Sequence, residues 1–280
     1  MKKPIFSESR VRRQALLALR NAFIRIRPDC QIDHNGYAPD FRETLLSRVL
    51  PQDFEADLSA GDGNELQTKF RAIHSSSGLA VNCFAPFRRQ IADLSLEPGD
   101  VFDGLQFERK CPTGLKGGRS PNLDVVLTGP NGIVGIESKL TEYLAKHTAD
   151  FSPAYAEQIR DARREGGYFS EMLRLMDAPK IYRLLDAAQL IKHAFGLAHT
   201  FSDRPVTLLY LFWEPANPKA SPIFAAHRAE IAEFAERVAG TTPRFLAMSY
   251  PELWSKLEAS GPDWVKAHIE ELKARYLVSL

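Results

Sequence analysis

The chain is poor in cysteine, in net charge and in long apolar runs. Cys30, Cys83 and Cys111 are the three cysteines of 280 residues, they lie far apart, and no C-x-x-C pair occurs. An odd, scattered set argues against a disulfide framework or a cysteine-rich zinc site, and a reducing cytoplasm is the simplest home. Lysine and arginine total 36 against 35 aspartate and glutamate, a formal charge of +1. Any contact with a polyanion must therefore come from local patches. The densest apolar run, Val206 to Trp213, is far too short to span a bilayer. The basic N-terminus is unlike a signal peptide, because Arg20, Arg25 and Arg27 break its apolar stretch and no small-residue cleavage site follows. Also missing are a P-loop G-K-[ST] ending, a G-x-S-x-G elbow and an H-E-x-x-H pair. Cys30, Asp33 and His34 lie close together without a second ligand pair, so they read as a loop. What remains, 44% hydrophobic and 25% charged residues, is the composition of a globular protein of one large or two small domains.

Residues 9–26 carry Val11, Ala15, Leu16, Leu19, Ala22, Phe23 and Ile26 at helical spacing, with six arginines between residues 10 and 27. That basic helix is either a solvated face or a phosphate-contacting surface. A helix is expected over 62–76 on the stripe Leu66, Phe70, Ile73, and a short extended segment over 79–87. A strand over 104–111 leads to a mobile, basic, glycine-rich loop with Lys116 and Arg119. Two β-rich runs then flank Gly129-Pro-Asn-Gly132, a hairpin signal. After a polar, helix-prone stretch at 141–179 come an amphipathic helix over 180–197, a strand over 206–213, a helix over 223–239, and a strand from Arg244 to Met248. Ser249-Tyr-Pro-Glu252 then forms a capping box that opens a last helical region.

The hairpin carries the chemistry. With its loop centred on Pro130 and Asn131, Thr128 faces Ile133, Val126 faces Gly135, and Asp124 faces Glu137. Directly opposed residues share a side of the sheet, with Cβ atoms ~4.5–5.5 Å apart. Lys139, two residues on, joins that side. The other side collects Leu123, Val125, Leu127, Val134, Ile136 and Leu140 as a core face. Two opposed carboxylates repel, burial sharpens the repulsion, and a divalent cation relieves it. Mg²⁺ suits such a pair, because it takes one or two carboxylates and completes its octahedron with waters and phosphate oxygens. A neighbouring lysine could orient or help deprotonate an attacking water and stabilise charge on a phosphoryl transition state. The plain alternative is a surface hairpin with an exposed Asp–Lys–Glu salt-bridge cluster.

Pro121-Asn-Leu-Asp124 on one strand and Glu137-Ser-Lys139 on the next resemble the PD-(D/E)XK nuclease superfamily. The order of elements over about 60–215 agrees with that resemblance. The family's Pro-Asp pair is here Leu123-Asp124, with the proline displaced to Pro121, and 141–179 looks like an insertion. The resemblance implies an α/β fold: a central mixed sheet with an αβββαβ restriction-endonuclease-like core, a basic helical region at 1–59 and a C-terminal extension at 216–280. It implies a metal-dependent DNA endonuclease of restriction or defence type that hydrolyses phosphodiester bonds in double-stranded DNA, with Mg²⁺ as cofactor and Mn²⁺ able to substitute. Asp124 and Glu137 would hold metal, and Lys139 would stand beside the attacking water. Glu65, at the start of the expected first helix, becomes a candidate third ligand, or else merely complements the helix dipole or pairs with Lys69. Gln189 and His193, four apart on one helix face, fall where recombination-type relatives place a glutamine and a tyrosine that touch DNA, or form a half-exposed polar flank. Lys116 and Arg119 are DNA-contacting candidates. Cleavage of both strands favours a two-fold dimer. The competing readings are a non-catalytic nucleic-acid-binding protein that retains the fold, and an unrelated α/β interaction domain.

Overall fold

Arginines on one side and Val11, Ala15, Leu19, Ala22 and Phe23 on the other make the first segment amphipathic, and α1 (Glu8–Ile26) buries that apolar stripe. The computed structural model describes residues 8–60, 64–115, 120–156 and 167–280. After α1 come α2 (Glu55–Ser59), α3 (Ser76–Phe84), and the three strands β1 (Gly104–Lys110), β2 (Asn122–Gly129) and β3 (Gly132–Lys139). Then follow α4 (Pro153–Ala156), α5 (Gly167–Asp177), α6 (Ala187–Thr200), β4 (Val206–Phe212), α7 (Pro222–Arg237), β5 (Arg244–Ser249), α8 (Tyr250–Ser260) and α9 (Asp263–Tyr276).

The strands form one sheet in the order β1-β2-β3-β4-β5. β1, β2 and β3 are antiparallel neighbours, while β4 and β5 add in parallel to β3. A parallel addition needs a crossover, which α6 provides before β4 and α7 before β5. One face of the sheet packs its core with residues of α1, α3, α8 and α9, among them Leu19, Leu79, Trp254 and Ile269. The other face packs on α5 and α6 and the second half of α7, through Met172, Ile191, Leu197 and Phe234. The architecture is thus α/β, a mixed sheet with an αβββαβ restriction-endonuclease-like core made by α3, β1, β2, β3, α6 and β4, and helical additions at both ends.

Several expectations shift. Residues 65–71 are turns and a short 3-10 segment rather than a helix, although Leu66, Phe70 and Ile73 are all buried. The helix starts later, because the Ser75 hydroxyl caps it by accepting from the Gly78 N–H. The run Leu79 to Phe84 is therefore helical, not extended. It is buried all round, and a wholly buried helix leaves no period to read. α6 begins at Ala187 rather than 180, where the Asp186 carboxylate accepts from the Gln189 N–H. At the far end the capping box forms as expected, with Ser249 N–H donating to Glu252 and Glu252 N–H to the Ser249 hydroxyl. Among the described residues no helix is long and apolar enough to cross a membrane.

Candidate active site

The tight Gly129–Gly132 turn sets the hairpin register, and β2 and β3 pair as Thr128↔Ile133, Val126↔Gly135 and Val125↔Ile136. Continued by one residue, that register sets Asp124 opposite Glu137. The paired ladder stops just before this position, and the Asp124 carboxylate accepts from the backbone N–H of Ser138 at 2.6 Å. The strands are disturbed here on the β1 side as well. β1 and β2 pair at Phe107↔Val125 and Arg109↔Leu123, and between them Glu108 takes a positive φ of 48°. Alternation slips accordingly: Leu123 packs with Val126 and Ile133 on the α6 side, not with Val125 and Leu127 as expected.

The electrostatics separate the two acids. Burial first, then the Glu137 and Glu108 carboxylates, push the Asp124 carboxyl well above its usual range against the opposing pull of Lys139. Burial would raise Glu137 too, but the Lys139 ammonium and His193 outweigh it and bring it down to about 2. Lys139 Nζ lies 2.5 Å from Glu137 Oε1. Burial works against its charge, but Glu137 and Asp124 prevail and hold the ammonium above its ordinary pKa. Glu137 is therefore sunk in the protein, with Asp124 and Lys139 partly buried beside it rather than spread on the surface.

α6 closes the site from one face. Its Gln189 accepts from Lys139 Nζ at 2.8 Å, and His193 Nε2 lies 3.0 Å from Glu137 Oε2. The close approach depends on Gly135 of β3, where a Cβ would meet the Leu197 side chain of α6 at 2.7 Å. On the other face the Ser138 hydroxyl lies 2.7 Å from the Tyr250 hydroxyl and donates to the Ser76 carbonyl at 3.3 Å, at the start of α3. Glu65 reaches this neighbourhood from its turn: its carboxylate accepts from the Ser77 hydroxyl at 2.6 Å. The structure thus gathers Asp124, Glu137, Lys139, Gln189 and His193, while the Glu65 carboxylate is held by Ser77 of α3. Lys116 and Arg119 lie outside the described residues.

Glu108, Ser138 and Tyr250 were not foreseen as neighbours of the acids. The β2–β3 turn is two residues long and dictates its register, whereas the long β1–β2 connection dictates none, so nothing in the sequence set Glu108 opposite Asp124. Among the described residues no group of three or more His, Cys, Asp or Glu is arranged to hold a metal ion. The candidate donors, the hard carboxylates of Asp124 and Glu137, would fit a cation keeping much of its own water shell and not a fully protein-caged one.

A family model described as restriction endonuclease associating with ARP matches residues 13–277. The chain belongs to that family. The match to this restriction-endonuclease family runs from within α1 to just past α9, and Asp124 and Glu137 sit near the middle of the matched span. Comparison with curated proteins and with solved structures gives no match.

Proposed function

We propose that the chain is a Mg²⁺-dependent endonuclease that hydrolyses phosphodiester bonds of double-stranded DNA, working in the reducing cytoplasm in restriction or defence. The observation that carries this reading is the cluster of buried Glu137 with the partly buried Asp124 and Lys139 at the end of a β-hairpin, in a chain of a restriction-endonuclease family. Two acids kept beside one another, one of them with a pKa well above its usual range, are what a site awaiting a cation looks like. Phosphate binding alone would favour basic residues there.

Asp124 and Glu137 would hold the cation, which supplies Lewis-acid polarisation of the scissile phosphate. Lys139, held in its charged form, orients the attacking water and stabilises the charge that builds on the phosphate oxygens. Approach of the duplex is guided by α1. That helix packs against the 3-10 turn Glu142–Leu144, which directly follows β3, and so brings its arginines to the rim of the site. Arg12 and Glu142 both act on His74, which places them as neighbours there. Lys116 and Arg119 are proposed as further phosphate contacts, and a homodimer as the form that cuts both strands.

The test is incubation with supercoiled plasmid in Mg²⁺, in Mn²⁺ and in chelator. Cleavage with either metal and none with chelator is the expected result. Tight duplex binding with no cleavage under any condition would instead identify a non-catalytic binding protein that keeps the fold.

A further inference from the structure

The family resemblance implied that Gln189 and His193 touch DNA, with a half-exposed polar flank as the alternative, but their surroundings point inward. His193 is only 2% exposed, on a helix face otherwise made of Leu190, Ile191, Ala194 and Leu197. A polar ring sunk in such a face costs stability unless it meets a polar partner. The nearest polar group is Glu137 Oε2, an ion-pair contact 3.0 Å from Nε2, and among the described residues neither ring nitrogen has a hydrogen-bond partner of good geometry. One helical turn earlier Gln189 accepts from Lys139 Nζ at 2.8 Å. The two oxygens of Glu137 are thus divided between Lys139 and His193, and Lys139 is divided between Glu137 and Gln189.

We infer that Gln189 and His193 are positioning residues of the candidate site: Gln189 fixes the Lys139 ammonium, His193 fixes the Glu137 carboxylate, and neither contacts DNA. This rests on the nuclease reading and refines it. A lysine has a long stem with many rotamers, and an unsupported glutamate can swing away from a cation. Residues at i and i+4 of one helix can hold both at once, because they project from the same face at a fixed separation. The helix is itself pinned, by the Asp186 cap on the Gln189 N–H and by the Gly135 contact.

The experiment uses the full chain and three variants, Gln189→Ala, His193→Ala and His193→Gln. Calorimetry measures Mn²⁺ binding without DNA, anisotropy measures duplex affinity in Ca²⁺, and single-turnover assays measure cleavage. The two alanine variants should lose about 10–100-fold in Mn²⁺ affinity or cleavage rate, the loss usual for groups that orient metal ligands. Their duplex affinity should stay at the wild-type value. His193→Gln, whose amide can still donate to Glu137, should recover part of the loss, which a merely structural role would not predict. If His193→Ala fails to fold, Gln189→Ala, at a half-buried position, decides alone. Weakened duplex affinity with unchanged Mn²⁺ binding would make these side chains DNA contacts and overturn the inference, as would variants indistinguishable from wild type. A wild-type protein that neither binds Mn²⁺ nor cuts DNA would instead remove the nuclease reading, and this inference with it.

Discussion

Asp124 and Glu137 stand side by side, yet their surroundings treat them oppositely. Asp124 is opposed by burial and by two neighbouring carboxylates, whereas Glu137 is held by Lys139 and His193. Asp124→Asn keeps an oxygen for the Ser138 N–H and removes the repulsion, so cleavage should vanish while the melting temperature of the metal-free protein holds or rises. Glu137→Gln should also abolish cleavage, but it leaves the partly buried Lys139 ammonium short of its counter-charge at the buried Glu137 position and should cost about 3 kcal/mol of stability. Urea titration of both variants checks this, and equal stabilities would mean that the Glu137–Lys139 pair contributes little. One contribution to the pH dependence lies apart from the site, in His227. Its ring stacks on Tyr143 at 4.0 Å and lies 3.0 Å from the Tyr210 hydroxyl, and burial lowers its pKa from 6.5 to about 3. The folded state then binds fewer protons than the unfolded one between these values. The stability contributed by His227 is complete above about 6.5 and falls by up to about 1.4 kcal/mol per pH unit as the solution is acidified towards 3. His227→Phe should flatten that slope in denaturation curves taken from pH 7 to pH 4. An unchanged slope would place the acid sensitivity elsewhere.

At the scale of the element, α6 is the part on which the site depends. Gly196 sits inside this helix, where alanine would ordinarily be better by about 1 kcal/mol. A Cβ there would meet the Cys111 carbonyl oxygen at 2.4 Å and the Pro121 ring at 2.9 Å. Backbone cannot yield as a side-chain tip can, so Gly196→Ala should lower the melting temperature in spite of its helix propensity. It should also weaken Mn²⁺ binding, because lifting α6 separates Gln189 and His193 from their partners on β3. A more stable Gly196→Ala protein would show that the helix has room to shift. α1 offers the second test at this scale. Each phosphate contact removed should flatten the slope of log K against log salt by about 0.9 on duplex DNA. Arg12→Ala combined with Arg13→Ala should show that change, and an unaltered slope would place α1 away from the duplex.

For the whole molecule, one apolar core runs from Val11 and Leu19 of α1 through α3 and the sheet to Leu272 and Tyr276 of α9. The terminal helices also touch one another, since Arg275 of α9 donates to the Ile73 carbonyl and lies over the Phe23 ring of α1. Removal of residues 1–59 should therefore unfold the rest rather than release a stable core, as circular dichroism of the truncated chain would show. Local physics made much of this readable beforehand. A two-residue turn between alternating runs sets the β2–β3 register, so the opposition of Asp124 and Glu137 and the place of Lys139 followed from residue numbers alone. The amphipathic stripe of α1, the apolar run of β4 and the Ser249–Glu252 cap are equally short-range and were equally plain. Other features depend on contacts that no local pattern encodes. Residues 79–84 are helical, yet burial on all sides erases the period that would have shown it. Glu108 meets Asp124 across a connection too long to impose a register. Gln189 meets Lys139 across 50 residues, and only the close packing of α6 over Gly135 turns that helix face onto the acids instead of outward. The chemistry of the hairpin is thus written in neighbouring residues, while the helix that holds it in place is set by packing between segments distant in the chain.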